Sequence, residues 1–322
     1  MSHNDLIPPA YRTLARFWLE EVSAKDIDTL TALPDLAQTL PALDGPHLTN
    51  LAVEYQRLFG FNLPPYESVF IDPSAMLMAP ATDRVTQIYR RGEWQSPAGV
   101  RTGAPDHLGL ELLALADWLD REQLAPAHQL HTRHLALWVV PFILTLQRLR
   151  PQPFYAALGE LTLDLLLTTL PETSIPNPTD LFPELPPPPI YRGTDETILA
   201  DEGVVEPERN GGSPFRRLTK RLLCPRETGL YLTRIDLAQL GRTLDLPATV
   251  GDRFQMLDTL FRQAMQYELL PELLDHLSHL LAEADLAYGQ VSADYPGWQP
   301  YAQAWSYRLA ATQHELAREF VV

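Results

Sequence analysis

Ser68, Asp106 and His107 supply the hydroxyl, carboxylate and imidazole that a hydrolytic triad would need. Such a site also requires a serine on a glycine-flanked turn between strand and helix, and donors for an oxyanion. Neither pattern surrounds Ser68. His107 and Glu111 lie one helical turn apart, the spacing of a metal-binding pair, but no third ligand accompanies them and no metal is expected. Gly211-Gly212-Ser213 lacks the glycine spacing and the lysine of a phosphate loop. Cys224 is the only cysteine, which excludes an intramolecular disulfide and any multi-cysteine zinc or iron–sulfur site. It reads as a small apolar filler. These residues point away from an enzyme and call for no cofactor.

The acidic side chains need positioning elements. Glu67 follows Pro64-Pro65 and is placed to meet the positive end of a new helix. Asp106 follows Pro105 and reads as the N-cap of an apolar helix running from His107 to about Asp120. A net charge of −16 disfavours nucleic acid and anionic lipid and favours cationic partners, such as an arginine-bearing peptide. With 45% hydrophobic and 20% charged residues, the 322-residue chain is ordinary for a soluble globular protein of two domains. The best apolar run, Leu135 to Leu146, is too short to span a bilayer and contains Pro141, so no membrane insertion is expected. The N-terminal MSHNDLIPPAYR lacks a basic region followed by an apolar stretch, so no export signal is expected and a cytoplasmic location follows as the expectation.

Apolar periodicity predicts helices throughout the first half. Leu14, Phe17, Trp18 and Val22 recur at helical spacing over Tyr11 to Val22, after the breaker Pro8-Pro9. A second helix covers Leu48 to Phe59, with Gly60 as its C-cap. Residues 72–105 read as a short helix and a long loop, a length more often functional than idle. Helices from about Ala127 to Leu149 and from Pro153 to Leu170 carry leucine on more than one face and read as the centre of a bundle. Further helices are predicted at Arg234 to Leu244, Gly251 to Tyr267, Pro271 to Tyr288 and Gln299 to Phe320. No alternating strand pattern occurs. The expected fold class is all-α, with a bundle over 1–185, a Pro-rich acidic linker over 186–214 and a smaller helical domain over 215–322.

Three segments carry a family resemblance. They are Glu54-Tyr55-Gln56-Arg57-Leu58-Phe59 followed by Pro64-Pro65-Tyr66-Glu67-Ser68-Val69-Phe70, then Ala104-Pro105-Asp106-His107-Leu108-Gly109-Leu110-Glu111-Leu112, and then His134 to Trp138 with Pro141-Phe142 and Phe154 to Leu158. In this order they resemble the TorD/DmsD/NarJ family, the dedicated chaperones of molybdenum-cofactor oxidoreductases. The resemblance covers roughly residues 10–185; Phe70 stands where many relatives have tyrosine. It implies an all-helical, TorD-like chaperone that binds the apo catalytic subunit of a molybdoenzyme, often through its twin-arginine signal peptide, and delays export until cofactor is loaded. It further implies a client-binding role for Tyr66, Glu67, Ser68, Asp106, His107 and Glu111. Carboxylates at matched spacing suit two guanidinium groups, and an apolar groove suits the hydrophobic stretch behind them. Two other readings stand beside it: a nitrate-reductase-type chaperone whose client lacks a signal peptide, and a helical adaptor. Helix capping, dipole complementation and core packing also account for Asp106, Glu67, and His134 with Trp138.

The resemblance does not reach the C-terminal third. Ser213-Pro214-Phe215-Arg216-Arg217-Leu218-Thr219-Lys220 loosely resembles a twin-arginine motif. It could fold back as a pseudo-substrate, or be only the solvated face of a short helix. The C-terminal helices could grip a second enzyme subunit or form a homodimer. Their apolar stripes are needed for their own core and decide neither.

Overall fold

The computed structural model describes residues 3–40, 44–170, 180–182 and 215–319, and it is all-α. Among the described residues there is no strand, only one antiparallel bridge between Tyr66 and His107. The expected linker, 186–214, lies outside the described residues. No helix among the described residues is long and apolar enough to cross a membrane.

Helix α1 spans His3–Leu19, so Pro8-Pro9 does not break it as the sequence suggested. Its buried stripe of Tyr11, Leu14, Ala15, Phe17 and Trp18 extends back to Ile7, which packs against the core. That burial outweighs the two amide donors the prolines lack. Two short helices follow, α2 (Ile27–Thr31) and α3 (Pro34–Ala37), and then α4 (Gly45–Tyr55), capped by Asp44 accepting from the His47 amide. The chain widens into a π turn over Gln56–Gly60, and Gly60 is that turn's last residue rather than the C-cap of a regular helix.

Helices α5 (Glu67–Ile71), α6 (Ala81–Arg91) and α7 (Leu108–Asp120) come next. Helix α7 lies along α1 at close range. A Cβ on Gly109 would come within 2.9 Å of the Ala15 carbonyl oxygen, so any larger residue there would push the pair apart. The single helix expected over 127–149 is observed as α8 (Leu124–Leu130), a π turn (His131–Leu135) and α9 (Ala136–Arg148). Helix α10 (Pro153–Thr168) closes the bundle. Trp18, Phe59, Phe70, Trp138 and Phe142 meet at the centre with ring centroids 5.4–6.3 Å apart, mostly edge to face.

The C-terminal third forms α11 (Arg216–Leu222), α12 (Pro225–Thr228), α13 (Arg234–Thr243), α14 (Arg253–Gln266), α15 (Leu270–Asp294) and α16 (Gln299–Glu319). These helices pack directly on the first bundle, and the buried side chains of both form one contiguous core. The contact heals a defect in α9. Pro141 has no amide hydrogen, so the Leu137 carbonyl, four residues earlier, lacks its helical donor. The Trp305 indole of α16 donates to it at 2.8 Å. Trp298 donates to Ala136 O at 2.7 Å and Tyr301 to Thr132 O at 2.6 Å. Arg148 forks onto Asp236 at 3.0 and 2.9 Å and also reaches the Tyr231 carbonyl. Phe70 stacks on Tyr231 with centroids 5.2 Å apart, so the tyrosine-to-phenylalanine departure sits in an apolar contact between the two parts of the chain.

Of the pseudo-substrate segment, Ser213 and Pro214 lie outside the described residues, and Arg216 to Lys220 form the start of α11. Phe215 stacks on Phe261 at 5.1 Å, while Arg216, Arg217 and Lys220 face solvent and Arg221 pairs with Glu315 at 2.7 Å. The described basic residues Arg216, Arg217 and Lys220 thus form the solvated face of a short helix. Cys224 is buried, and burial raises its thiol pKa to about 11, in keeping with a packing role.

Candidate functional site

The candidate residues converge where the chain before α5 meets the chain before α7. The Glu67 amide donates to Asp106 O at 3.0 Å, and the Leu108 amide to Pro65 O at 2.9 Å. This clamp delays α7 by one residue, and Asp106 is not its N-cap. His107 takes that position, its Nδ1 accepting from the Gly109 amide at 3.0 Å. The Asp106 carboxylate turns instead to α5 and α6. It accepts from the Ser68 amide at 2.7 Å and from the Thr82 hydroxyl at 3.2 Å. Asp106 therefore ties three elements together.

Glu67 opens α5, as its dipole role predicted, but its side chain does more. One carboxylate oxygen takes Arg84 Nη2 at 3.0 Å and the other meets His134 Nδ1 at 2.7 Å. Glu67 is fully buried, as is Glu111, whose Oε2 accepts from Trp138 Nε1 at 3.2 Å. Among the described residues Glu111 Oε1 has no hydrogen-bond partner. Burial, together with the charges of Glu67 and Asp106, holds the Glu111 carboxyl well above the usual carboxylate range. Asp106 is raised as well, again first by burial, with the hydrogen bonds from Ser68 pulling it back. Burial alone lowers the His107 imidazole to about 3, so the ring is neutral and free to accept.

Tyr66 is the one candidate with a half-exposed side chain. Its ring meets His107 edge to face at 4.8 Å, and its hydroxyl accepts from the Gly103 amide at 3.0 Å. A Cβ on Gly103 would come within 3.1 Å of that hydroxyl and 4.0 Å of Leu77 Cδ1, so Tyr66 and Leu77 flank one glycine. Leu77 belongs to an exposed run, Met76-Leu77-Met78, whose outer residues are 65% and 69% exposed.

All six sequence-selected residues thus share one neighbourhood, but they do not make a hydrolytic triad. Among the described residues no hydrogen bond joins His107 to Ser68, and the Asp106 carboxylate is engaged by α5 and α6. No group of three metal-ligating side chains occurs among the described residues. Two members were missed from sequence. Arg84 borders the Val85-Ile88-Tyr89 stripe of α6, a helix expected only loosely within 72–105. His134, read as packed core, is buried but is also the second partner of Glu67.

Residues 24–143 match the family model described as nitrate reductase delta subunit. Over that segment, a little over a third of the chain, the sequence is similar to the nitrate reductase delta subunit family. The match contains all six candidate residues together with Arg84 and His134. This family is one of maturation chaperones for molybdoenzymes and not of catalysts, and it implies binding to a molybdoenzyme catalytic subunit. No curated protein matches the chain. The delta-subunit match stops inside α9, and the C-terminal helices lie outside it.

Proposed function

We propose that the chain is a cytoplasmic chaperone for the apo catalytic subunit of a molybdenum-cofactor oxidoreductase, binding its twin-arginine signal peptide and holding the subunit for cofactor insertion before export. The observation that carries this reading is the exposed Met76-Leu77-Met78 run beside Tyr66. Methionine is long, unbranched and polarizable, and it adapts to apolar partners of varied shape, which suits a holder of unfolded segments. In this reading the buried Glu67, Ser68, Asp106, His107 and Glu111 set the position of that surface. Opening of the Tyr66–His107 bridge would expose Asp106 and Glu111 to the two arginines of the client.

One observation favours the alternative. Asp106 and Glu111 are both fully buried, and Glu54 already accepts from Arg57 at 2.6 and 2.7 Å. A client without a signal peptide, gripped through the apolar run alone, requires no opening. Calorimetric titration with leader peptides of molybdoenzyme catalytic subunits, and with their arginine-to-glutamine versions, separates the two. Binding that weakens on losing the arginines, and on Asp106→Asn with Glu111→Gln, supports the signal-peptide reading. Absence of leader binding, with retention of the apo catalytic subunit in a pull-down, supports the client without a signal.

A further inference from the structure

A cavity of about 460 Å³ opens between α6 and the π turn after α8, within the size range of small-molecule sites. It is lined by Arg84, Arg91 and Arg133, with Gln87, Gln129 and His134, and by the apolar Ile88 and Leu181. Among the described residues no carboxylate lines it. Arg84, Gln87, Ile88 and Arg91 follow the i, i+3, i+4, i+7 spacing that puts them on one helix face. Gln129 and Arg133 stand one turn apart on the facing element, where the π turn sets the direction of Arg133 and His134. Such widened turns recur at functional sites because they re-aim side chains.

The charge at this spot runs against the rest of the molecule. The chain carries a net charge of −16, and Arg12, Arg16, Arg57, Arg148 and Arg262 each meet a carboxylate. Arg91 and Arg133 have no ion pair among the described residues. Arg84 gives one Nη to Glu67, and its buried Nε has no acceptor among the described residues. Keeping like charges together around an open cavity costs energy that an anion would recover. Three guanidinium forks match the tetrahedral oxygens of phosphate better than a lone carboxylate. The glutamine amides add neutral donors and acceptors, and Ile88 and Leu181 give one apolar wall.

We infer that this cavity binds a phosphate-bearing small molecule, with Arg84, Arg91 and Arg133 holding the phosphate oxygens. The inference goes beyond the chaperone reading: the cavity borders the candidate site through Arg84 and His134, the two partners of Glu67, but Arg91, Arg133, Gln87 and Gln129 lie outside that site and the exposed Met76-Leu77-Met78 run does not line it. The test is calorimetric titration of the full chain with inorganic pyrophosphate and orthophosphate at fixed ionic strength. Arg91→Gln and Arg133→Gln are suitable variants, since both side chains are exposed and their replacement leaves the core intact. Saturable binding of one pyrophosphate, tighter than orthophosphate, is expected. Each substitution should weaken it about tenfold, the double variant should remove it, and Arg101→Gln, an exposed arginine outside the cavity, should leave it unchanged. Absence of saturable binding, or binding that survives the double substitution, would overturn the inference.

Discussion

Trp305→Phe probes whether the C-terminal helices complete the first bundle or merely lean on it. The indole is fully buried and donates at 2.8 Å to the Leu137 carbonyl, which Pro141 has deprived of its helical partner. Phenylalanine keeps most of the apolar contact but leaves that carbonyl orphaned in a dry interior. A buried unsatisfied acceptor costs about 1–3 kcal/mol, and the variant should lose that much stability, read as a lower urea midpoint with unchanged slope. The mechanism predicts more than the loss. In a Pro141→Ala background the alanine amide can serve Leu137, so Trp305→Phe should cost less by about 1 kcal/mol. A double-mutant cycle measures the difference. An equal cost in both backgrounds, within about 0.5 kcal/mol, would refute the account of the proline defect.

Further outcomes follow from the site. Glu67→Gln leaves Arg84 and His134 facing an uncharged, fully buried partner and should destabilise by about 2–4 kcal/mol in thermal unfolding, whereas an exposed control such as Asp83→Asn should change little. His107 is held near 3 and His131 near 4 by burial, against an ordinary value of 6.5. Folded values below the unfolded one favour folding fully above about pH 6.5 and progressively less as pH falls toward 4. His107→Asn, which keeps a capping acceptor without a titrating ring, should therefore flatten the decline in melting temperature between pH 6.5 and 4. Glu111 has the opposite sign. Its raised carboxyl makes the ionised form costly as pH rises above the ordinary 4.5, so Glu111→Gln should gain stability relative to the parent as pH increases. Replacing Met76, Leu77 and Met78 with serine should leave the melting temperature within about 2 °C and cut client affinity at least about tenfold by calorimetry.

Much of this was legible in the sequence because helical periodicity is a local signal. The stripes at 234–244 and 299–320 reappear as α13 and α16 within a residue. The motifs around Tyr66 and Asp106 also lie together, as their resemblance to the chaperone family implied. What the sequence concealed was set by distant partners. Pro8-Pro9 looks like a break until the stripe through Ile7 is seen to be buried. Asp106 looks like a cap for its own helix, but the bridge to Tyr66 turns it toward α5 and α6. The π turns at Gln56–Gly60 and His131–Leu135 shift the register by one residue, which apolar spacing does not report. Arg84 was hidden because a charged residue beside a stripe reads as solvent-facing until its carboxylate partner is known.

The most direct test of the chaperone account compares binding of the full chain to two forms of a molybdoenzyme catalytic subunit, the apo form and the cofactor-loaded mature form, by calorimetry at one salt concentration. The account predicts saturable binding to the apo subunit and at least about tenfold weaker binding to the mature enzyme, because only the apo form exposes the segments a holder grips. Equal affinity for both forms would contradict it and would make the protein an adaptor.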